Sequence, residues 1–435
     1  MADIFIVDDQ GPEATAMLQA LYSRSGESAR THLEMVQKRG SAKFMESYYV
    51  GYGHASIGDC GTTTLFIEGL SILACKAVQD NPLYSGQESS TRYIDFSKQP
   101  MIDPISTPQS KAVLDAWMDF YLSALDPLEA YLKECFPLGE GEKERVWDTA
   151  IKARGFDILR GFLPAGITSQ LAWTTNLRQA ADKLHLLRHH PLREVQDVAE
   201  GCLAELRQSY PSSFGHKDYP QTEAYLAKTA FKTNYLDSRF FAIDEPDLSF
   251  SSTVDDGLLQ AQEGDVIVGR PPRTNLPRYL DGYGQYTCTF DLDYGSYRDL
   301  QRHRNGICRI PLLTGERGFH DWYLDELPEP LASQARALVE TQFKAIDALD
   351  ARVEDKQYLY PLGAKVRCQT VYTLPQMIYV IELRSQSTVH STLRDVMHWM
   401  DGEMRKRHPG LTLHTDLEPS KFDVKRGTQT ITKRV

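Results

Sequence analysis

Two short stretches of this 435-residue chain carry residue types that could hold an anionic ligand, and they lie far apart. "QRHRNGICRI" (301–310) sets Arg302, His303 and Arg304 side by side, with no polar set following to complete a pocket. "SGQESSTRY" (85–93) has that polar set, alternating Ser85, Gln87, Glu88, Ser90 and Arg92 with small residues, but lacks the basic triplet. Hydroxyls, an amide and a guanidinium suit a nucleotide. Arg92 could clamp a phosphate through two charge-assisted bonds, each worth roughly 1.5–3 kcal/mol. The plainer reading of this stretch is a polar loop with a structural Arg–Glu pair. The basic triplet also reads two ways. Cations closing a helix in "SYRDLQRHRNG" would offset its dipole, with His303 an ordinary surface residue. Against that, three adjacent cationic or ionisable donors repel one another unless an anion is near.

Other candidates are weaker. "YVGYGHASIGD" (49–59) puts Gly, His, Ser and Asp in a turn that could hold a cofactor edge or be only a turn. His189 and His190 precede a proline and read as loop residues without the helical spacing of metal ligands. Glu316, Arg317, His320 and Asp321 read as a solvated charge cluster. Neither a dinucleotide glycine fingerprint nor a phosphate loop occurs. The seven cysteines form no CxxC pair and read as reduced core thiols, so no disulfide frame and no metal site are expected.

The elements that must position these residues are mostly helical. "PEATAMLQALYSRS", "THLEMVQKRG", "SKAVLDAWMDFYLSALDPLEAYLKECF", "LREVQDVAEGCLAELRQSY" and "PLASQARALVETQFKAIDALDARV" repeat apolar residues at three- and four-residue steps. "TTTLFIEGL", "TRYIDFS" and "QYTCTFDLD" read as strands. Long helices around a few strands predict an α+β fold. Turn residues in "PSSFGHKDYP" and "DEPDLSFSS" put a boundary near 215–250, giving an amino-terminal domain (1–215), a connecting segment (216–264) and a carboxy-terminal domain (265–435). Hydrophobic residues make up 41% and charged ones 25%, ordinary for a globular chain. The net charge of −11 argues against a nucleic-acid partner. No apolar run suits a membrane span and no signal core opens the chain, so no membrane partner and a cytoplasmic location are expected.

The two halves look related. Aligning Pro164 with Pro361 also aligns Gly166 with Gly363 and Asn176 with Thr373, and both segments run on to Leu-Arg, at Leu187-Arg188 and Leu383-Arg384. Upstream, "TTTLFIEGLSILACKAVQDNP" lies on "YTCTFDLDYGSYRDLQRHR", a strand then a helix in each case.

These pieces resemble the flavin-dependent thymidylate synthases, which have a GH-x-S turn, then "FxIEGxSR", then RHR-x-x-S-x-N/Q-E/Q-x-S-x-RY. Here stand Gly53-His54-Ala55-Ser56, "LFIEGLS", Asp80-Asn81-Pro82 in place of RHR, and then Ser85, Gln87, Glu88, Ser90, Arg92 and Tyr93 in register. "RGFLP", "TTNLR" and Arg188 extend the resemblance to about residues 30–205. Residues 265–405 resemble the same family more distantly. They keep Arg302-His303-Arg304 and Arg384, but have Gln357 for an arginine, and Thr373 and Pro375 for Asn-x-Arg. Asp59, Ile72 and Ala77 also depart from the pattern. The resemblance implies two diverged ThyX-like domains, each of long helices on a small, mainly antiparallel sheet, sharing one composite site. Ser85, Gln87, Glu88, Ser90, Arg92, Arg160, Arg188 and Arg384 would bind the nucleotide, with Ser90 at the motif serine. His54, Ser56, Asn176, Arg178 and the Arg302–Arg304 triplet would bind FAD, and the triplet would also stand at the reaction centre. The implied reaction is C5 methylation of a uracil nucleotide such as dUMP, or a related one-carbon transfer. NADPH would be the reductant and methylenetetrahydrofolate the carbon donor. The implied assembly is a homodimer imitating a tetramer of single-repeat subunits. The alternative is a catalytically inactive flavin- or nucleotide-binding relative, or a regulatory paralogue of a synthase.

Overall fold

The structure is a computed structural model that describes residue 7 and residues 9–92, 94–237 and 247–428. Tyr93 of the motif lies outside the described residues. The chain opens with α1 (Pro12–Tyr22), α2 (Ala29–Arg39), the short α3 (Ala42–Phe44) and α4 (Ala55–Gly58). Next, β1 (Thr62–Ser71) runs directly into α5 (Ile72–Gln79), followed by β2 (Ser85–Glu88), α6 (Pro108–Cys135) and α7 (Glu144–Leu159). Then come β3 (Thr168–Asn176), α8 (Leu177–Leu187), α9 (Arg193–Ser209), α10 (Pro220–Asn234), β4 (Leu248–Ser252) and α11 (Asp256–Ile267). The remainder comprises β5 (Gln285–Asp293), α12 (Tyr294–Leu300), β6 (Ile307–Arg309), α13 (Asp321–Asp325), α14 (Glu329–Asp347), α15 (Val353–Lys356), β7 (Lys365–Thr373), α16 (Leu374–Arg384) and α17 (Ser391–Arg407). The α+β expectation holds, and the five periodic helical stretches are α1, α2, α6, α9 and α14. Local signals support them: Thr107 and Ser110 form a reciprocal capping box at the start of α6, beside Pro108.

Two sheets form, ordered β1-β3-β2 and β4-β5-β7-β6. Along β5, Tyr286, Cys288, Phe290 and Leu292 are buried at every second position, as the pleat demands. Each large apolar side chain buried this way contributes roughly 1.5–3 kcal/mol. β5 pairs antiparallel with β7 from Gln285↔Thr373 to Asp293↔Lys365.

The chain forms two compact units that interleave in sequence. One comprises residues 1–70, 74–88 and 169–234; the other comprises 71–73, 89–168 and 235–435. The second unit therefore combines residues from both halves of the sequence. Within it Pro164 and Pro361 face each other across an antiparallel bridge. Two reciprocal pairs of hydrogen bonds flank that bridge. Ala165 N donates to Tyr360 O (2.9 Å) and Leu362 N to Leu163 O (2.8 Å). Gly166 N donates to Tyr358 O and Gly363 N to Gly161 O, both at 2.8 Å. The bridges Met101↔Ile167 and Phe319↔Ala364 repeat the pattern further out. Glycine is required at both aligned positions by close approach. A Cβ on Gly166 would sit 2.6 Å from Ile102 O, and one on Gly363 would sit 2.9 Å from Gly161 O.

Some expectations need correction. The described residues of "TRYIDFS" form no strand: Arg92 N turns back to Ser90 Oγ (3.3 Å) and Ser97 N to Asp95 Oδ1 (2.8 Å), so side chains satisfy these backbone donors instead of a ladder. The strand lies just before it, at β2. The connecting segment is richer than its turn residues suggest, since it holds α10, β4 and most of α11. Helix formers in "QTEAYLAKTAFKTN" prevail between the flanking prolines and asparagine. Cys75, Cys202, Cys288 and Cys368 are buried, but Cys135 at the end of α6 is exposed. Residues 316–321 do not form one charge cluster. Arg317 pairs with Asp291 (2.7 Å) and Asp247 (3.2 Å), while His320 caps α13.

Candidate functional site

In the second unit, α7 ends in a turn that carries Arg160 into the interior, where it is 1% exposed. Its Nη2 donates to Ser296 Oγ at 2.8 Å and lies 3.7 Å from Asp293 Oδ2. Tyr323 OH donates to that same Asp293 oxygen at 2.7 Å, as does Ser296 N at 2.8 Å. Ser296 Oγ also meets Thr392 Oγ1 at 2.8 Å, and His390 Nδ1 meets Thr392 Oγ1 at 2.9 Å. A guanidinium this deep is sustained only by such a network, because an unpaired buried charge costs several kcal/mol.

Asp157, one turn before Arg160 on α7, gathers a second group. Arg92 grips it through Nε–Oδ1 (2.7 Å) and Nη2–Oδ2 (3.0 Å), and Arg426 of the carboxy-terminal segment pairs with Oδ2. Burial opposes ionisation of Asp157, but Arg92 and Arg426 hold its carboxyl well below the usual range. Arg92 Nη1 donates to Thr388 O at 2.9 Å. The structural partner of Arg92 is therefore Asp157, while Glu88 accepts from Gln79 Nε2 at 2.8 Å. A cavity of about 50 Å³ remains here, lined by Arg92, Asp157, Thr388, His390, Ser420 and Arg426.

The basic triplet follows α12, as its helix-ending reading expects. Arg302 pairs with Asp299 at 3.3 Å. His303 is not a surface residue: it is 7% exposed, and its Nε2 accepts from Arg384 Nε at 2.7 Å. Burial, then the Arg384 cation, push its pKa down to about 3, so the imidazole is neutral. Arg304 Nη1 donates to Arg302 O at 3.3 Å. Burial lowers the pKa of Arg384, and Arg302 adds to that effect. Asp299 links the groups. Burial works against its charge, yet the guanidiniums of Arg302, Arg160, Arg384 and Arg92 together bring its carboxyl below the usual range. Two of those four arginines come from each half of the sequence.

Apart from Ser90, which lies in the second unit, the remaining expected residues lie in the first. Ser85, Gln87 and Glu88 lie on β2, paired with β3. His54 and Ser56 are exposed at α4. Asn176 caps α8, accepting from Gln179 N at 2.8 Å, and Arg178 pairs with Asp59 at 2.7 Å. Arg188 is held by Glu200 (2.7 Å) and Asp218 (3.2 Å). Sequence reasoning missed Asp157, Asp293, Asp299 and Tyr323, whose importance comes from what surrounds them and has no local signature. It also missed the four-residue step from His185 to His189, which was visible. His189 lies in the turn after α8, as its loop reading expects, and its Nε2 meets Glu223 Oε2 at 2.9 Å.

Residues 6–212 match the family of thymidylate synthase complementing proteins. It is 25% identical over 431 residues to a UPF0159 protein of Chlamydia pneumoniae, covering 86% of this chain and 80% of the relative. A UPF0159 protein of Thermoplasma acidophilum is 21% identical over 467 residues, covering 91% and 93%. A flavin-dependent thymidylate synthase of Corynebacterium efficiens is 26% identical over 171 residues, covering 38% of this chain and 64% of that enzyme. Among the described residues no helix is long and apolar enough to cross a membrane.

Proposed function

We propose that this chain is a flavin-dependent enzyme transferring a one-carbon unit to C5 of a uracil nucleotide such as dUMP. Its site would draw on both halves of a diverged tandem. The observation that carries this reading is that the second unit brings Arg92 and Arg160 of one half, on Asp157 and beside Asp293, together with Arg302 and Arg384 of the other, on Asp299 and His303. Asp157 and Asp293 offset Arg92 and Arg160, but Arg384 spends its Nε on a neutral imidazole. Arg302 is paired with Asp299, so Arg384, held by a neutral group, is the guanidinium whose charge would serve the diphosphate of FAD, and the donor set fits that group. Bound FAD, reduced by NADPH, would supply the hydride, and methylenetetrahydrofolate would supply the carbon. The chain's own share is electrostatic. Arg302, Arg304 and Arg384 would hold phosphate oxygens, and His303, fixed as the Nδ1–H tautomer, would keep Arg384 oriented. Arg92 and Ser90 would hold the nucleotide. The reciprocal hydrogen bonds about Pro164 and Pro361 support the tandem, and a homodimer of two-repeat chains follows as the expected assembly.

Purified protein should be yellow. Adding dUMP, UMP and dCMP separately to flavin-loaded protein should perturb the flavin absorbance most with the true substrate. Arg302→Ala should weaken flavin retention on the order of 100-fold, and Arg92→Ala should abolish the nucleotide response; each should abolish turnover. Unchanged flavin and nucleotide binding in Arg302→Ala would end the shared-site reading. One observation favours the non-catalytic alternative: Asp157 already engages Arg92 and Arg426. That alternative predicts flavin and nucleotide binding without any methylated product from labelled nucleotide.

A further inference from the structure

Apart from the flavin reading, the first unit carries three convergent metal-ligating side chains. His185 near the end of α8 and His189 in the turn after it stand four residues apart, so both imidazoles project from one face. Glu223, in the first turn of α10, meets both. His185 Nε2 lies 3.0 Å from Oε1, and His189 Nε2 lies 2.9 Å from Oε2. The imidazole rings are nearly perpendicular, at 81°, with centroids 6.0 Å apart. The three ligand atoms lie within 4.8 Å of one another.

Hydrogen bonding does not account for the whole arrangement. Glu223 Oε1 is shielded from solvent and makes no hydrogen bond, although His185 Nε2 is 3.0 Å away. A buried carboxylate oxygen without a donor is costly. An unbridged N···O separation of this size matches the edge of a coordination shell, because ligands about 2.1 Å from a metal at right angles are about 3 Å apart. Packing also leaves α10 in need of a fastening. It buries no side chain fully, and a cavity of about 300 Å³ lies between Lys183 and Leu187 on α8 and Leu226, Thr229 and Thr233 on α10.

We propose that His185, His189 and Glu223 bind one divalent transition-metal ion that clips α10 to α8. Two imidazoles and a carboxylate suit Zn²⁺, Fe²⁺, Co²⁺ or Ni²⁺ rather than Mg²⁺ or Ca²⁺. Three protein ligands leave at least one position for water, in keeping with side chains that are 30%, 17% and 25% exposed. The sequence expectation of no metal is replaced here because Glu223 arrives from a different helix.

The test uses the full chain stripped with chelator and titrated with Zn²⁺ by calorimetry and with Co²⁺ by visible absorption. Saturation at one ion per chain is expected, with visible Co²⁺ bands and a higher melting temperature with Zn²⁺. The double substitution His185→Ala/His189→Ala should weaken binding on the order of 100-fold or more and remove the thermal shift. Glu223→Gln keeps an oxygen acceptor for an imidazole N–H but loses charge, and should weaken the metal as well. No saturable binding to the native chain, or equal binding by the double variant, overturns the proposal. Should the double variant not fold, His189→Ala decides: a weakened Co²⁺ spectrum supports the site, and an unchanged one removes it.

Discussion

Arg160 and Gln357 begin matching three-residue turns, Arg160–Phe162 and Gln357–Leu359. Each turn leads through a proline and a close-packed glycine into a nine-residue strand and then an eleven-residue helix. The two side chains nevertheless live by different rules. Arg160 brings a charge inside and needs Asp293, Tyr323 and Ser296 around it. Gln357 is neutral, and its amide is satisfied by Tyr235 OH (3.1 Å), Glu354 O (3.1 Å) and Leu313 N (3.0 Å). The lesson is that one backbone frame tolerates either residue, while the surroundings decide whether the position serves electrostatics or packing. The segments after α5 and α12 differ in the same way. Asp80-Asn81-Pro82 offers a carbonyl, which Lys183 Nζ reaches at 2.7 Å, whereas Arg302-His303-Arg304 offers cations and an imidazole held by Arg384.

The contrast is broken most directly at the turns themselves. Arg160→Ala leaves Asp293 uncompensated in the core and should cost about 3–5 kcal/mol of unfolding free energy. Gln357→Ala removes only neutral hydrogen bonds and should cost about 1–3 kcal/mol in the same denaturant titration. Equal losses would mean that Arg160 is not behaving as a paired buried charge.

Acid titration sharpens the difference between His303 and Asn81. The folded pKa of His303 is about 3, against about 6.5 in an unfolded chain. Between those values the unfolded state binds a proton that the folded state refuses. Stability from this residue is therefore complete above about pH 6.5 and falls toward pH 3, by about 1.4 kcal/mol per pH unit. Giving the second half the residue of the first, His303→Asn should flatten that slope. A slope unaffected by the substitution would assign the acid sensitivity to other groups.

The smallest effect compares two helix starts. Asn176 caps α8 with its side chain, and Asn176→Ala should cost about 1 kcal/mol. Thr373 makes no cap to α16 and instead donates to Asp281 at 2.6 Å, so Thr373→Ala should stay within about 0.5 kcal/mol. Thermal melts of the two variants side by side would test the ranking, and a reversed order would contradict the capping assignment.

Periodicity predicted α1, α2, α6, α9 and α14, and strand-forming composition predicted β1 and β5, because both signals are written locally. The aligned pairs Pro164/Pro361 and Gly166/Gly363 were likewise readable, since glycine and proline mark backbone demands directly. "TRYIDFS" misled because its strand-forming composition was overruled by turns through Ser90 and Asp95 and by the pull of Asp157 on Arg92. The arginines at 92, 160, 302 and 384 could be listed from the sequence, but not the carboxylates that face them. Residue types and spacings are local properties, so the chain by itself determined the elements and the cations they carry. Charge compensation depends on distance in space, so only the tertiary structure decided that Asp157, Asp293 and Asp299 share those cations, and that Glu223 meets His185 and His189.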